Sequence, residues 1–273
     1  MDRKIDEVEF VIFDTETTGL DPKNGDRIVE IAALRFKGEQ NLGQFHSLVN
    51  PGRQISPRAY EVNQISPEML KNAPKMEDIL PDFLDFIKGS CLCAYNMPFD
   101  LGFLNNELAL AGKSPLEDFA MVDILTMARK LFPGLERHAL WFVAKSVGIE
   151  NIQEHRAFSD VEMTWALFQR MKSSLREKGV NEFRNFLTLF GASQKLLTGI
   201  NQQKIAKIEE AIEQGLKIRI KYFSRSTAKI SEREVAPKEI SFEQSSPYLI
   251  GFCFLRNEER TFRIDNILDL EII

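Results

Sequence analysis

Sulfur and imidazole are scarce in this 273-residue chain, which has three cysteines and three histidines. No C-x-x-C or H-x-x-x-H spacing occurs among them, so a nitrogen/sulfur zinc site is not expected, and three cysteines that cannot all pair, two of them (Cys91, Cys93) in an apolar run, give no disulfide framework. Any metal site must be built from oxygen ligands. Tryptophan (2) and tyrosine (4) are few beside 21 phenylalanines, so the aromatic content serves apolar packing. Long apolar runs are also missing. The longest, Leu249 to Leu255, is far short of the ~20 residues that a membrane helix needs. The opening Met1-Asp2-Arg3-Lys4-Ile5-Asp6-Glu7 has no apolar signal core. A soluble, cytoplasmic protein that does not engage membranes is expected. The composition, 44% hydrophobic and 27% charged, excludes a disordered or fibrous chain and provides for one large or two smaller cores. Net charge is −5, with the acidic excess in residues 1–176. An acidic chain can still bind nucleic acid where cations screen an acidic pocket or basic residues gather locally.

Phe10-Val11-Ile12-Phe13 is a short apolar run closed by Asp14 and a polar Thr-Glu-Thr-Thr-Gly turn, the pattern of a buried strand. Arg27 to Lys37 and Gln44 to Val49 are rich in β-branched and aromatic residues and read as two further strands of a meander. Apolar residues at helical spacing then alternate with short apolar runs. A helix is expected over Met76 to Ile87, a strand over Leu92 to Tyr95, and a helix opened by Pro98. Helices follow around Leu125 to Leu131 and Leu140 to Val147. A last helix opens on the capping box Ser159-Asp160-Val161-Glu162. This order gives an α/β domain over 1–176, a mixed sheet flanked by helices. Residues 177–203 read as a helical linker, with Gly191-Ala192-Ser193 and Thr198-Gly199 as its flexible points. Residues 204–273, with strictly alternating Lys217-Ile218-Arg219-Ile220-Lys221-Tyr222, read as a small β-rich domain.

Three polar clusters fall where predicted strands end or helices start, which is where open α/β sheets build their sites. Asp14-Thr15-Glu16 places two carboxylates on one face of an extended chain. Asn96-Met97-Pro98-Phe99-Asp100 and His155-Arg156-Ala157-Phe158-Ser159-Asp160 supply two more carboxylates and a histidine. Four crowded carboxylates cannot all stay ionised without a cation, which implies divalent metal, and hard oxygen ligands favour magnesium or manganese. Two such ions roughly 4 Å apart can clamp a phosphodiester. His155, titrating near neutrality, suits the general base that takes the proton of attacking water. Each element alone has a bland alternative: polar residues are common at strand ends, Asp100 suits a helix N-terminus, and a lone histidine is usually a surface or capping residue. Their order and spacing together favour chemistry.

Phe13-Asp14-Thr15-Glu16-Thr17-Thr18-Gly19-Leu20, with the two clusters above, resembles the three motifs of the DEDDh 3′-to-5′ exonucleases over residues 8–175. The resemblance implies a ribonuclease-H-like fold and two Mg2+ or Mn2+ ions held by Asp14, Glu16, Asp100 and Asp160, with His155 as base. It further implies that Thr17 and Leu20 hold and wedge the terminal nucleotide and that Asn96 and Phe99 line its pocket. Asp123 falls at a position that usually supports the fold.

Gly112-Lys113-Ser114 is not a phosphate-binding loop, since Glu107 stands where that motif needs glycine. His138 reads as structural, and His46 has no evident partner. In the C-terminal region, Pro247-Tyr248-Leu249-Ile250-Gly251-Phe252 followed by Arg260-Thr261-Phe262-Arg263-Ile264-Asp265-Asn266 resembles the WYL domain. That resemblance implies a small SH3- or Sm-like β-barrel that senses nucleic acid or small ligands. Pro247 replaces the name-giving tryptophan, and Asn266 a common arginine. Lys217, Arg219 and Lys221 form a basic row, and Arg219, Lys221, Arg256 and Arg263 are the expected accessory contacts.

The reading is a metal-dependent exonuclease acting on a single-stranded 3′ end and releasing nucleoside monophosphates. One rival is a regulator in which the nuclease-like domain only grips nucleic acid. Clustered carboxylates disfavour it, because negative charge near phosphates weakens binding. Another is a module that recruits the nuclease to a polymerase or repair complex.

Overall fold

The computed structural model describes residues 3–150, 155–243 and 246–273. Strand β1 (Glu9–Thr17) is the organising element. Antiparallel to it runs β2 (Ile28–Lys37), and antiparallel to that β3 (Gln40–Leu48). Two short helices not expected from the sequence follow, α1 (Pro57–Asn63) and α2 (Pro67–Leu70), each with a serine cap and a proline in its first turn. Helix α3 (Met76–Ile87) leads to β4 (Cys91–Ala94), α4 (Met97–Leu110), β5 (Met121–Asp123), α5 (Ile124–Leu131) and α6 (Leu140–Ser146). The five strands lie in the order β3-β2-β1-β4-β5, with β4 and β5 parallel to β1. This is the expected mixed sheet.

Period-two alternation along β1 makes two cores. Phe10 and Ile12 face α5, α6 and α7 (Ala157–Glu177), while Val11 and Phe13 face α3 and α4. Helix α7 starts at Ala157, two residues before the expected capping box, with Arg156 at the cap position and no side-chain cap bond from it.

Residues 177–203 contain α8 (Phe183–Phe190) and the first half of α9 (Gln194–Glu213). Helix α8 packs into the nuclease core. The rings of Phe183 and Phe186 lie edge-on to Phe10, both at 6.0 Å, and Phe186 also meets Phe168 at 5.9 Å. The boundary expected at 203/204 falls inside α9.

Strands β6 (Ile218–Ser224), β7 (Lys229–Glu243), β8 (Ser246–Cys253), β9 (Glu258–Arg263) and β10 (Ile267–Ile272) form an antiparallel sheet in the order β10-β6-β7-β8-β9. Charged residues and Pro237 disguise β7 as a loop in the sequence. Pro237, which cannot donate to a ladder, sits at a register shift before Glu239, where a missing N–H costs little. No ladder joins β9 to β10 among the described residues, so a closed barrel is not observed. No helix among them is long and apolar enough to cross a membrane.

Candidate metal-dependent active site

The alternation that buries Phe10 and Ile12 continues into Asp14 and Glu16, which therefore point toward α7. Asp160, on the first turn of α7, meets them. One carboxylate oxygen from each of Asp14, Glu16 and Asp160 lies within 4.8 Å of the others. Thr15, on the opposite face, turns toward α4, where its amide (2.9 Å) and hydroxyl (2.8 Å) both donate to Oδ1 of buried Asp100. Asp100 is thus fastened beside the group, and the expected cluster of four is a trio plus one tethered neighbour. His155 is exposed, with φ of +50°, and stands outside the trio.

Withdrawal from water is the largest influence on these acids. It pushes Asp14 well above the usual carboxylate range, reinforced by Asp100, Glu16, Asp160 and Glu30. Glu16 is raised to about 8 by burial and then by Asp160 and Glu30, against a lowering hydrogen bond from Asn63. Asp100 is raised to about 7 by burial, partly offset by the two Thr15 bonds. Repelled, oxygen-only donors at this spacing fit a hard divalent cation, whose charge relieves the repulsion that the fold has built.

Thr17 is buried, with its hydroxyl on the Gly19 carbonyl at 2.5 Å. Leu20 is 70% exposed. A side chain at Gly19 would collide with the Asp26 carboxylate, which accepts from the Thr18 hydroxyl and the Asp21 amide. Asn96 starts α4 in the left-handed conformation and is exposed. Half-buried Phe99 packs on Phe103 at 5.0 Å. Asp123 accepts from the Met97 amide and from the Thr126 amide and hydroxyl, a structural role. His138 is likewise structural, bonded through Nε2 to the Phe132 carbonyl.

Sequence reasoning missed Thr15, Asn63 and Glu30. The first was visible as the middle residue of Asp-Thr-Glu. Asn63 lies on α1 and Glu30 in the middle of β2, with no local pattern to mark either. His46, without a partner in the sequence, is bonded to Glu30 at 2.7 Å.

The accessory basic row is not a free cationic stripe. Arg219 lies between Glu234 and Glu271 in register and makes ion pairs with both, at 3.4 and 3.3 Å. Lys221 donates to the Gly179 carbonyl at 3.3 Å. Arg256 is exposed in the β8–β9 turn. Arg263 pairs with Asp265 and lies over the Tyr248 ring at 5.6 Å. It lines a cavity of about 550 Å³ between the two halves of the chain, with Lys130 and Thr126 of α5, Thr188 of α8 and Asn201 of α9.

Residues 11–168 match the model of the exonuclease family, and residues 203–272 match that of the WYL domain. The chain is 42% identical over 166 residues to DNA polymerase III subunit epsilon of Treponema pallidum (strain Nichols), covering 60% of this chain and 76% of that protein. It is 30% identical over 256 residues to a PolC-type DNA polymerase III of Staphylococcus epidermidis. That match spans 92% of this chain but only 17% of the polymerase. Among solved structures, the fold is similar to the nuclease domain of 3′hExo, a DEDDh family member bound to rAMP, with a TM-score of 0.55 and 17% identity. The match covers 62% of this chain and 93% of that one.

Proposed function

This chain belongs to the exonuclease family and is a 3′-to-5′ exonuclease acting on nucleic acid; we propose that it releases nucleoside monophosphates from a single-stranded 3′ end with two Mg2+ or Mn2+ ions. The observation that carries the site assignment is the convergence of Asp14, Glu16 and Asp160, drawn from β1 and α7, with Asp100 tethered alongside. Asp14, Glu16, Asp100 and Asp160 would hold the ions, which when bound supply Lewis-acid stabilisation of the scissile phosphate and acidify the attacking water. His155 accepts the proton of that water at an imidazole nitrogen, and its exposed position makes it accessible to substrate. Leu20 offers an apolar wedge against the terminal base, and Thr17, Asn96 and Phe99 form the walls of its pocket.

Residues 204–273 form the accessory unit, an SH3/Sm-like module whose contacts with nucleic acid run through Arg263 and Arg256. Arg219 and Lys221 are weaker candidates because of their acidic and carbonyl partners. A sensing role is a second reading for this unit, favoured by the cavity that Arg263 shares with Lys130. Docking to a polymerase assembly is a further proposal, suggested by the names of the relatives.

The decisive assay incubates 5′-labelled single-stranded DNA, duplex DNA and RNA with the protein in magnesium, manganese or chelator. A ladder shortening from the 3′ end, abolished by chelator and by Asp160→Asn, is expected. Digestion that persists in chelator would remove the metal-site assignment.

A further inference from the structure

Helix α7 carries Asp160 on its first turn and begins two residues after His155, and the Arg156 side chain at its cap position makes no cap bond. The cap comes from β2. Oε2 of Glu30 accepts the Ala157 amide at 3.0 Å and Arg156 Nε at 3.0 Å. Oε1 accepts Arg156 Nη2 at 2.7 Å and meets His46 Nε2 at 2.7 Å. A bidentate guanidinium–carboxylate fork fixes orientation as well as distance, and the amide bond fixes the start of the helix along its axis. Glu30 is 1% exposed and lies directly opposite Glu16 in the β1–β2 register. One strand pair therefore holds a trio carboxylate and, one residue beyond His155, the chain that bears it.

With each carboxylate oxygen already engaged by two nitrogen groups, Glu30 is poorly placed to serve as another metal ligand. Next to the residues that Glu30 holds, His155 has a φ of +50°. Such a conformation is uncommon for a residue with a Cβ and persists where the surroundings over-determine it. The two residues after His155 are anchored by three hydrogen bonds to Glu30, and an anchored neighbour limits where the imidazole can swing.

We infer that Glu30 is a positioning residue, which through Arg156 and the Ala157 amide sets the placement of His155 for proton transfer. The inference rests on His155 being the general base. Misplacement of a catalytic group by about 1 Å can cost up to a hundredfold in rate, so the loss should appear in turnover while substrate contacts are untouched.

The test measures kcat and KM of the full chain on a short 5′-labelled single-stranded oligonucleotide with saturating magnesium. Glu30→Gln leaves a carboxamide that cannot satisfy all of these donors, and kcat should fall about tenfold or more with KM within about twofold. Arg156→Lys keeps the charge and loses the fork, so it should shift kcat in the same direction, and it serves if the buried Glu30 variant does not fold. In a His155→Ala background, where no base remains to be placed, either change should lower kcat by less than about twofold. An equal loss in both backgrounds, or no loss in the first, overturns the positioning role. If His155→Ala by itself leaves kcat unchanged, the base assignment fails, and the positioning role falls with it by a separate route.

Discussion

Thr15 holds Asp100 twice, through its amide at 2.9 Å and its hydroxyl at 2.8 Å. The residue between the two paired carboxylates of β1 thereby tethers the fourth, on α4. Thr15→Val keeps the shape and the amide bond but deletes the hydroxyl bond to a charged acceptor, an interaction worth about 1.5–3 kcal/mol. Asp100 should become less well fixed. The expected result is a severalfold rise in the magnesium concentration giving half-maximal cleavage, read from a cation titration with labelled oligonucleotide. An unchanged titration curve would show that the hydroxyl contributes only to packing.

Asp14 concentrates the cost of the site, being withdrawn from water and repelled by Asp100, Glu16, Asp160 and Glu30. Neutralising it should separate activity from stability. Asp14→Asn is expected to abolish cleavage, because a carboxylate ligand is lost, while raising the melting temperature measured in chelator near pH 8. Wild-type cleavage by this variant, at matched circular dichroism, would falsify the ligand assignment. A lower melting temperature in chelator would show that Asp14 has structural partners outweighing the repulsion.

Much of this site was legible because the ligands sit at the ends of apolar runs whose period is plain. Asp14 and Glu16 follow from the alternation of Phe10 and Ile12, and Asp160 from its place at a helix start. What stayed hidden depends on long-range register. Glu30 and Arg156 are joined across 126 positions, and nothing near either residue announces the other. The start of α7 was misread for the same reason: the local Ser159–Glu162 pattern resembles a capping box, whereas the actual cap arrives from β2. The role of 177–203 was obscured because Phe183, Phe186 and Phe190 look like any amphipathic helix until Phe10 and Phe168 are brought against them. Cross-strand Glu234 and Glu271 likewise reveal only after pairing that Arg219 in the basic row is charge-balanced.

The raised acids make the metal-free fold pH-sensitive with a definite sign. Glu16, raised from 4.5 to about 8, and Asp100, raised from 3.8 to about 7, hold their protons more tightly folded than unfolded. Their stabilising contribution is therefore fully present below the unfolded values, near 4, and is lost as pH rises through about 7–8. In chelator, the melting temperature should decline between pH 5 and pH 8.5. Added magnesium should raise it, and by more at the alkaline end, because the cation binds the deprotonated group. A metal-free melting temperature that climbs across this range would contradict the repulsive arrangement.

The cavity between the two halves supplies the last prediction. Lys130 is lowered to about 8, first by burial and then by Arg225, while Asp265 counters and Arg263 adds to the effect. Its ammonium donates to the Leu189 carbonyl, and Arg225 and Arg263 share Asp265, at 3.3 and 2.5 Å. Lys130 and Arg263 thus line a space of about 550 Å³ together with Asp265, with which Arg225 also pairs, a charge imbalance that suits an anion. If residues 204–273 sense ligand, a nucleoside monophosphate should bind there and stabilise the full chain, an effect that follows ligand concentration by mass action. Lys130→Met and Arg263→Ala should each remove that stabilisation, and neither touches Asp14, Glu16 or Asp160. Arg219→Glu should leave it intact, since Arg219 is already balanced by Glu234 and Glu271. Thermal shift with inorganic phosphate, nucleoside monophosphate and short oligonucleotide distinguishes the cases, with chelator present to silence the carboxylate site. Stabilisation by oligonucleotide alone, lost in Arg263→Ala but not in Lys130→Met, would assign the unit to substrate grip. Equal shifts in all variants would leave the cavity without a ligand role.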